Sequence, residues 1–106
     1  MKRGEIWTLQ DKHYASKARP VVVIQNDKHS DFDSVILCLL TTYESSNIET
    51  RVFIKASDEN GLRKDSYVMT DKIVTVDKSI LGESIGKLSD TDMKTVSAQL
   101  KEILGL

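Results

Sequence analysis

Two apolar runs dominate the chain, Val21-Val22-Val23-Ile24 and Val35-Ile36-Leu37-Cys38-Leu39-Leu40, and both are too uniformly hydrophobic to be anything but core strand. With their margins they predict strands over 20–26 and 34–42. The connector Asp27-Lys28-His29-Ser30-Asp31-Phe32-Asp33 is rich in the Asp and Ser side chains that favour turns. Pro20 has no N–H for a ladder, so it marks a strand's start or an edge. Gly4 to Leu9 predicts a short first strand, and 10–18 a polar loop. Residues 49–56 predict a fourth strand, with Val52 and Ile54 on one face and Phe53 on the other, broken by the turn signal Asn60-Gly61. Residues 66–70, 73–76 and 84–88 are shorter β candidates. Ser89-Asp90-Thr91-Asp92 has the form of a helix N-cap, and Met93, Val96, Leu100, Ile103 and Leu104 follow at helical spacing before the natural stop Gly105. One apolar stripe on that helix predicts packing across a sheet or against a second subunit. The fold class is therefore mainly β with α: a small barrel or strongly bent sheet carrying a C-terminal helix.

Composition narrows what such a fold can do. At 106 residues, 40% hydrophobic and 29% charged, a single domain over 1–106 is expected. The formal net charge of -1 argues against non-specific coating of nucleic acid, which draws its affinity from a broad excess of Lys and Arg. The charge is graded, however. Residues 1–30 carry six basic and three acidic side chains, 31–60 carry two and six, and 61–106 seven of each, so only the first third is locally basic and suited to a polyanion. The lone Cys38 sits inside an apolar run, where it reads as a small buried hydrophobe, and a reducing setting follows. With no apolar span of ~20 residues and no signal-peptide hydrophobic region after Met1, a soluble cytoplasmic protein is expected.

Metal catalysis has little support, because His13 and His29 both fall in polar loops and neither is at ligand spacing from Cys38 or the other His. No Walker loop or Gly-rich dinucleotide turn occurs, and no cofactor is expected. A two-histidine acid–base pair is conceivable but rests on loop residues alone. Arg19 is more informative: a guanidinium fixed at the mouth of a core strand offers a fork of donors to phosphate oxygens, although a surface ion pair would look the same in sequence. Thr41 and Thr42 leave the next apolar run, where hydroxyls could meet Arg19 at one end of an antiparallel sheet; threonine is also simply a favoured strand residue. Trp7 is best read as core packing.

Taken in order, these positions resemble the MazF/PemK family of bacterial toxin ribonucleases. The resemblance runs through Lys2-Arg3-Gly4-Glu5-Ile6-Trp7, Arg19-Pro20-Val21-Val22-Val23-Ile24-Gln25-Asn26-Asp27, the strand ending in Thr41-Thr42, Asp71-Lys72-Ile73-Val74-Thr75-Val76-Asp77-Lys78 and the terminal helix. It implies a dimeric SH3-like barrel that cuts single-stranded RNA at short sequences without a metal, and a cognate antitoxin whose flexible tail covers the RNA groove. Arg19 matches the family's catalytic arginine and Thr41 the hydroxyl residue that assists it, with Thr42 beside it on the RNA. The chemistry so implied is attack of the ribose 2′-OH on the adjacent phosphorus, leaving a 2′,3′-cyclic phosphate and a 5′-hydroxyl.

The first loop departs from the commonest family pattern. Many members carry Gly-Ser-Glu-Gln shortly before the arginine, whereas Tyr14-Ala15-Ser16-Lys17 is similar to a sub-branch with Tyr-Ala-Gly-Lys. The loop glutamate is therefore missing, and Tyr14, Ser16, Lys17 and His13 are the residues available in its place. Lys17 could neutralise phosphate and Tyr14 could stack on a base. Two other functions share the expected fold. A gyrase-binding toxin of the CcdB type acts through a C-terminal helix ending in Trp-Gly-Ile, where this chain has Leu104-Gly105-Leu106. A non-catalytic SH3-like RNA- or protein-binding module is the third.

Overall fold

The computed structural model describes residues 1–10 and 18–106. Among these residues, six strands form one antiparallel sheet: β1 (Glu5–Leu9), β2 (Arg19–Val23), β3 (Ser34–Thr41), β4 (Val52–Ile54), β5 (Ser66–Asp77) and β6 (Leu81–Lys87). Their spatial order is β4-β5-β3-β2-β1-β6. A C-terminal helix, α1 (Asp90–Leu104), completes the mainly β architecture expected from the sequence.

The two apolar runs lie at the centre of the sheet, and their alternation feeds two cores. Val22, Cys38 and Leu40 join Ile6, Val68, Val96 and Leu100 in one core. Val21, Val23, Val35 and Leu37 face the other way, into a second core with Leu9, Val76 and Leu81. Burial on both faces is why these strands lack the apolar–polar alternation of a half-exposed sheet. Each fully buried Val or Leu contributes about 1.5–3 kcal/mol, so the register of β2 on β3 is firmly set.

Two segments read as separate strands, 66–70 and 73–76, are one strand of twelve residues, β5. The charged Asp71-Lys72 looks like a break in sequence. It is instead a bend: the pairing steps from Cys38↔Ile73 to Leu40↔Val68, so β5 spends extra residues turning while β3 runs on. The first half of β5 also pairs with β4 through Val52↔Val68, Phe53↔Tyr67 and Ile54↔Ser66. β4 itself is shorter than the predicted 49–56, and β2 ends before the predicted 26. There the Gln25 side chain accepts the Ile36 N–H at 2.9 Å in place of a backbone carbonyl.

The sheet curls until its edges meet. The turn after β4 is organised by Asn60, whose Oδ1 accepts the N–H groups of Ser57 and Leu62 and whose Nδ2 donates to the Lys55 carbonyl. That turn lies directly on β6, with Lys87 N–H donating to the Glu59 carbonyl at 3.0 Å. Backbone meets backbone, so side chains are excluded. A Cβ on Gly61, which adopts φ +70°, would overlap the Ile85 carbonyl, and one on Gly86 would fall 2.5 Å from the Asn60 carbonyl carbon.

Helix α1 begins as its sequence predicts, with Ser89 Oγ accepting the Asp92 N–H at 3.1 Å. It ends on Gly105 at φ 71°, with the Leu106 N–H bonded to the Lys101 carbonyl at 3.0 Å. Val96 and Leu100 seal the first core. The far end of the stripe, Ile103 and Leu104, is exposed. No helix among the described residues is long and apolar enough to cross a membrane.

Candidate active site

Arg19 opens β2 and Thr41 closes β3, at the same end of the sheet. The β2–β3 ladder runs through Val21↔Leu39, Val22↔Cys38 and Val23↔Leu37. One more pleat of that register sets Arg19 across from Thr41. A cavity of about 250 Å³ opens at these strand ends, lined by Arg19, Pro20, Thr41, Thr42, Tyr43 and Ser66. The apolar core therefore positions the polar site. Slipping either strand by one residue would turn Val21, Val23, Leu37 and Leu39 out of their core, which holds Arg19 and Thr41 in place from below.

Thr41 is oriented further by a local turn, in which its Oγ1 accepts the Tyr43 N–H at 3.2 Å. With one lone pair so engaged, its O–H remains available to donate into the cavity. Tyr43 is 82% exposed on the rim. Behind it the 43–51 loop is clamped to β5. Arg51 Nε and Nη2 donate to the two carboxylate oxygens of Asp71, each at 2.9 Å. Arg51 Nη1 donates to Ser45 Oγ at 3.1 Å, and Ser45 Oγ donates to the Tyr43 carbonyl at 3.0 Å. Buried Thr70 donates its hydroxyl to the Thr50 carbonyl at 2.6 Å. Tyr67 Oη donates to Glu44 Oε1 at 2.7 Å.

The charges answer to these contacts. The Arg51 fork holds the Asp71 carboxyl below its usual range, and the same bond raises Arg51. The Tyr67 hydroxyl lowers Glu44, and Glu44 in turn raises Tyr67. Far from solvent, burial pushes the Cys38 thiol up to about 12, consistent with a packing residue and no chemistry.

A second depression, of about 490 Å³, shares Ala18, Pro20, Thr42 and Ser66 with the first and brings Arg63 and Lys64 to its wall. The cleft is thus longer than the sequence suggests, and Glu83 on the same wall offsets one of these two cations. Arg63 and Lys64 lie between the Asn60-Gly61 turn and β5, and the Thr41↔Tyr67 pairing of β3 with β5 carries them to Thr42. Tyr14, Ser16, Lys17 and His13 lie outside the described residues. His29 lines a different groove, beside Phe32 and Leu104 at the end of α1. Trp7 packs against the second core and donates its Nε1–H to Glu5 at 3.1 Å. Among the described residues no three His, Cys, Asp or Glu side chains gather as a metal site.

Comparison with known proteins bears on what this cleft serves. A family model described as PemK-like, MazF-like toxin of type II toxin-antitoxin system matches residues 2–104. Over its full length the chain is similar to the probable endoribonuclease MazF of Mycolicibacterium smegmatis, 35% identical over 107 residues and covering 98% of that protein. It is 37% identical over 112 residues to the endoribonuclease MazF of Staphylococcus saprophyticus, covering all of this chain and 92% of that one. A solved mycobacterial endoribonuclease in complex with its cognate antitoxin superposes with a TM-score of 0.85 at 27% identity, covering 100% of this chain and 96% of that one. A MazE-MazF structure from Deinococcus radiodurans, 17% identical, shares the fold with a TM-score of 0.82. With nearly every residue inside the family match, the chain belongs to the PemK-like, MazF-like toxins of type II toxin-antitoxin systems.

Proposed function

We propose that this protein is an endoribonuclease toxin that cuts single-stranded RNA at short sequences in the Arg19–Thr41 cleft, without a metal ion. The observation that carries the reading is the convergence of a guanidinium and an oriented hydroxyl on one cavity at the ends of neighbouring strands. The relatives named endoribonuclease support the activity.

In the proposed reaction the ribose 2′-oxygen forms a bond to the adjacent phosphorus and the P–O5′ bond breaks. Products are a 2′,3′-cyclic phosphate and a 5′-hydroxyl, the 2′-OH proton leaving to a base and the 5′-oxygen gaining one. Charge accumulates on the non-bridging oxygens as the phosphorane forms, and fixed donors there lower the barrier. Arg19 supplies two-pronged donation to those oxygens. Thr41 donates its O–H to the same group, since its acceptor side is already held by Tyr43 N–H. Arginine is a poor base, so its role is assigned to charge rather than to proton transfer. Thr42, with Arg63 and Lys64 along the longer depression, contacts the strand; Lys17, Ser16 and Tyr14 of the first loop are proposed as further RNA contacts. The need for a 2′-OH selects RNA over DNA.

The partners proposed are a second copy of this chain and an antitoxin. A structural relative is described in complex with its cognate antitoxin. A groove of about 410 Å³ lined by Ile24, Phe32, Ile36, Leu100, Leu104 and Leu106 offers apolar surface for the second copy. The test of the reading is incubation with long RNA in excess EDTA, followed by mapping of the cut ends. Discrete cuts with cyclic phosphate and 5′-hydroxyl ends are expected. Absence of cutting on RNAs of varied sequence, or cutting that EDTA abolishes, would count against it.

A further inference from the structure

The cavity at Arg19 is one end of a longer feature. On the ladders, Thr41 of β3 pairs with Tyr67 of β5, and Tyr67 pairs with Phe53 of β4. Directly opposed residues of an antiparallel sheet share a face. Phe53, Tyr67 and Thr41 therefore form one cross-strand row, with their neighbours Ile54, Val52, Val68 and Leu40 turned to the core behind it, and the β2–β3 register extended beyond Val21↔Leu39 adds Arg19 at its end. Three interstrand steps of ~4.8 Å place Phe53 about 14 Å from Arg19, the reach of a short run of nucleotides.

The outer half of this row is built as a rigid apolar plate. Phe53 is 51% exposed although it lies in a strand, and Val52 and Ile54 on either side of it are buried. Its ring meets Tyr67 edge to face, with centroids 5.5 Å apart and planes at 65°. Tyr67 is pinned through its hydroxyl to Glu44, whose Oε1 also accepts the Ser46 N–H at 2.7 Å. β4 is an edge strand, and among the described residues no further strand pairs beyond Phe53. Asp71 is neutralised by its pairing with Arg51, but the Glu44 carboxylate bonded to Tyr67 disfavours a phosphate there and leaves a base as the group suited to the rings.

We propose that Phe53 and Tyr67 form a stacking subsite for a base of the RNA strand flanking the cut, continuous with the Arg19–Thr41 cleft. The proposal rests on the ribonuclease reading and adds to it a second anchoring point, made of aromatic faces instead of cations. Stacking of this kind is sequence-tolerant in itself, so the plate anchors the strand across the cleft without choosing the base. A peptide segment of a partner protein is the competing occupant; continuity of the row with Arg19 and Thr41 favours RNA.

The test uses an oligonucleotide spanning the mapped cut site, made uncleavable by 2′-deoxy substitution at the cut nucleotide. Phe53→Leu and Tyr67→Leu keep apolar bulk and remove the ring. Each is expected to weaken binding about 5- to 100-fold, with an unchanged slope of affinity against salt because no phosphate contact is lost. Tyr67→Phe, which keeps the ring, is expected to bind within about threefold of wild type, provided that its thermal unfolding is unchanged. Replacing single nucleotides by abasic ones identifies the stacked base: at that position alone, removal of the base weakens wild type but has little further effect on Phe53→Leu. If wild type cuts RNA while both Leu variants bind and cut as it does, the subsite is overturned and the ribonuclease reading stands. Loss of antitoxin binding with RNA affinity intact would equally overturn it, assigning the plate to protein contact. If wild type cuts no RNA at all, the ribonuclease reading fails and the subsite with it.

Discussion

Replacing Arg51 by Ala removes the fork that ties the 43–51 loop to β5, and its cost follows from the geometry. Two bonds of 2.9 Å to Asp71 and one of 3.1 Å to Ser45 are lost. Charged hydrogen bonds contribute ~1.5–3 kcal/mol when sheltered, whereas exposed pairs contribute ~0–1 kcal/mol. The Arg51 side chain is 14% exposed and that of Asp71 30%, so solvent screens part of the interaction and the net loss should be about 1.5 kcal/mol. For a domain of this size that lowers Tm by about 6–9 °C. Arg51→Lys, which cannot fork, should lose most of the same stability. The pH dependence carries a definite sign. The Asp71 carboxyl is depressed in the folded protein, so the stabilisation is present above the ordinary carboxylate range and is lost as pH falls through the folded-state value. Thermal unfolding of wild type and variant, followed from pH 7 to pH 3, should therefore show the gap narrowing as the pH drops. A gap below about 0.5 kcal/mol at pH 7, or one as large at pH 3, would refute the assignment of this stability to the charged fork.

Two further outcomes follow from the packing. Gly86→Ala should destabilise severely, by about 3 kcal/mol or more, because the added methyl meets the backbone of Glu59 and Asn60 at the closure of the sheet; a denaturant midpoint within error of wild type would contradict the closure described. Cys38 should resist a thiol reagent at pH 8 in the native protein and react fully once unfolded, since burial holds the thiol protonated up to about 12; rapid native modification would show that the core is open there.

The sequence announces what is local. The apolar runs mark β2 and β3, Ser89 marks the start of α1, and Arg19 and Thr41 stand out because each adjoins a core strand; the structure brings both to one cavity. What it conceals depends on distant pairings. Asp71-Lys72 looks like a gap between strands, yet Asp71 is the partner of Arg51 at a bend within β5. Arg63 and Lys64 look like ordinary surface charges until the Thr41↔Tyr67 pairing lays the start of β5 beside Thr42 and brings them to the cleft wall. Phe53 looks like a strand residue on a solvent face. Only the registers Phe53↔Tyr67 and Thr41↔Tyr67 tie it to the site. The Asn60-Gly61 turn was legible, but its use as the clasp of the barrel was not.

The most direct measurement is the single-turnover cleavage rate of Arg19→Ala against wild type, on an RNA carrying the mapped cut site, with the fold of both proteins checked by thermal unfolding. Arg19 is exposed at the rim, so Tm should stay within about 2 °C of wild type. Removing a guanidinium that stabilises the phosphorane should slow cutting by at least about 100-fold. A folded variant that cuts at the wild-type rate would contradict the central claim that RNA is cleaved at the Arg19–Thr41 strand ends.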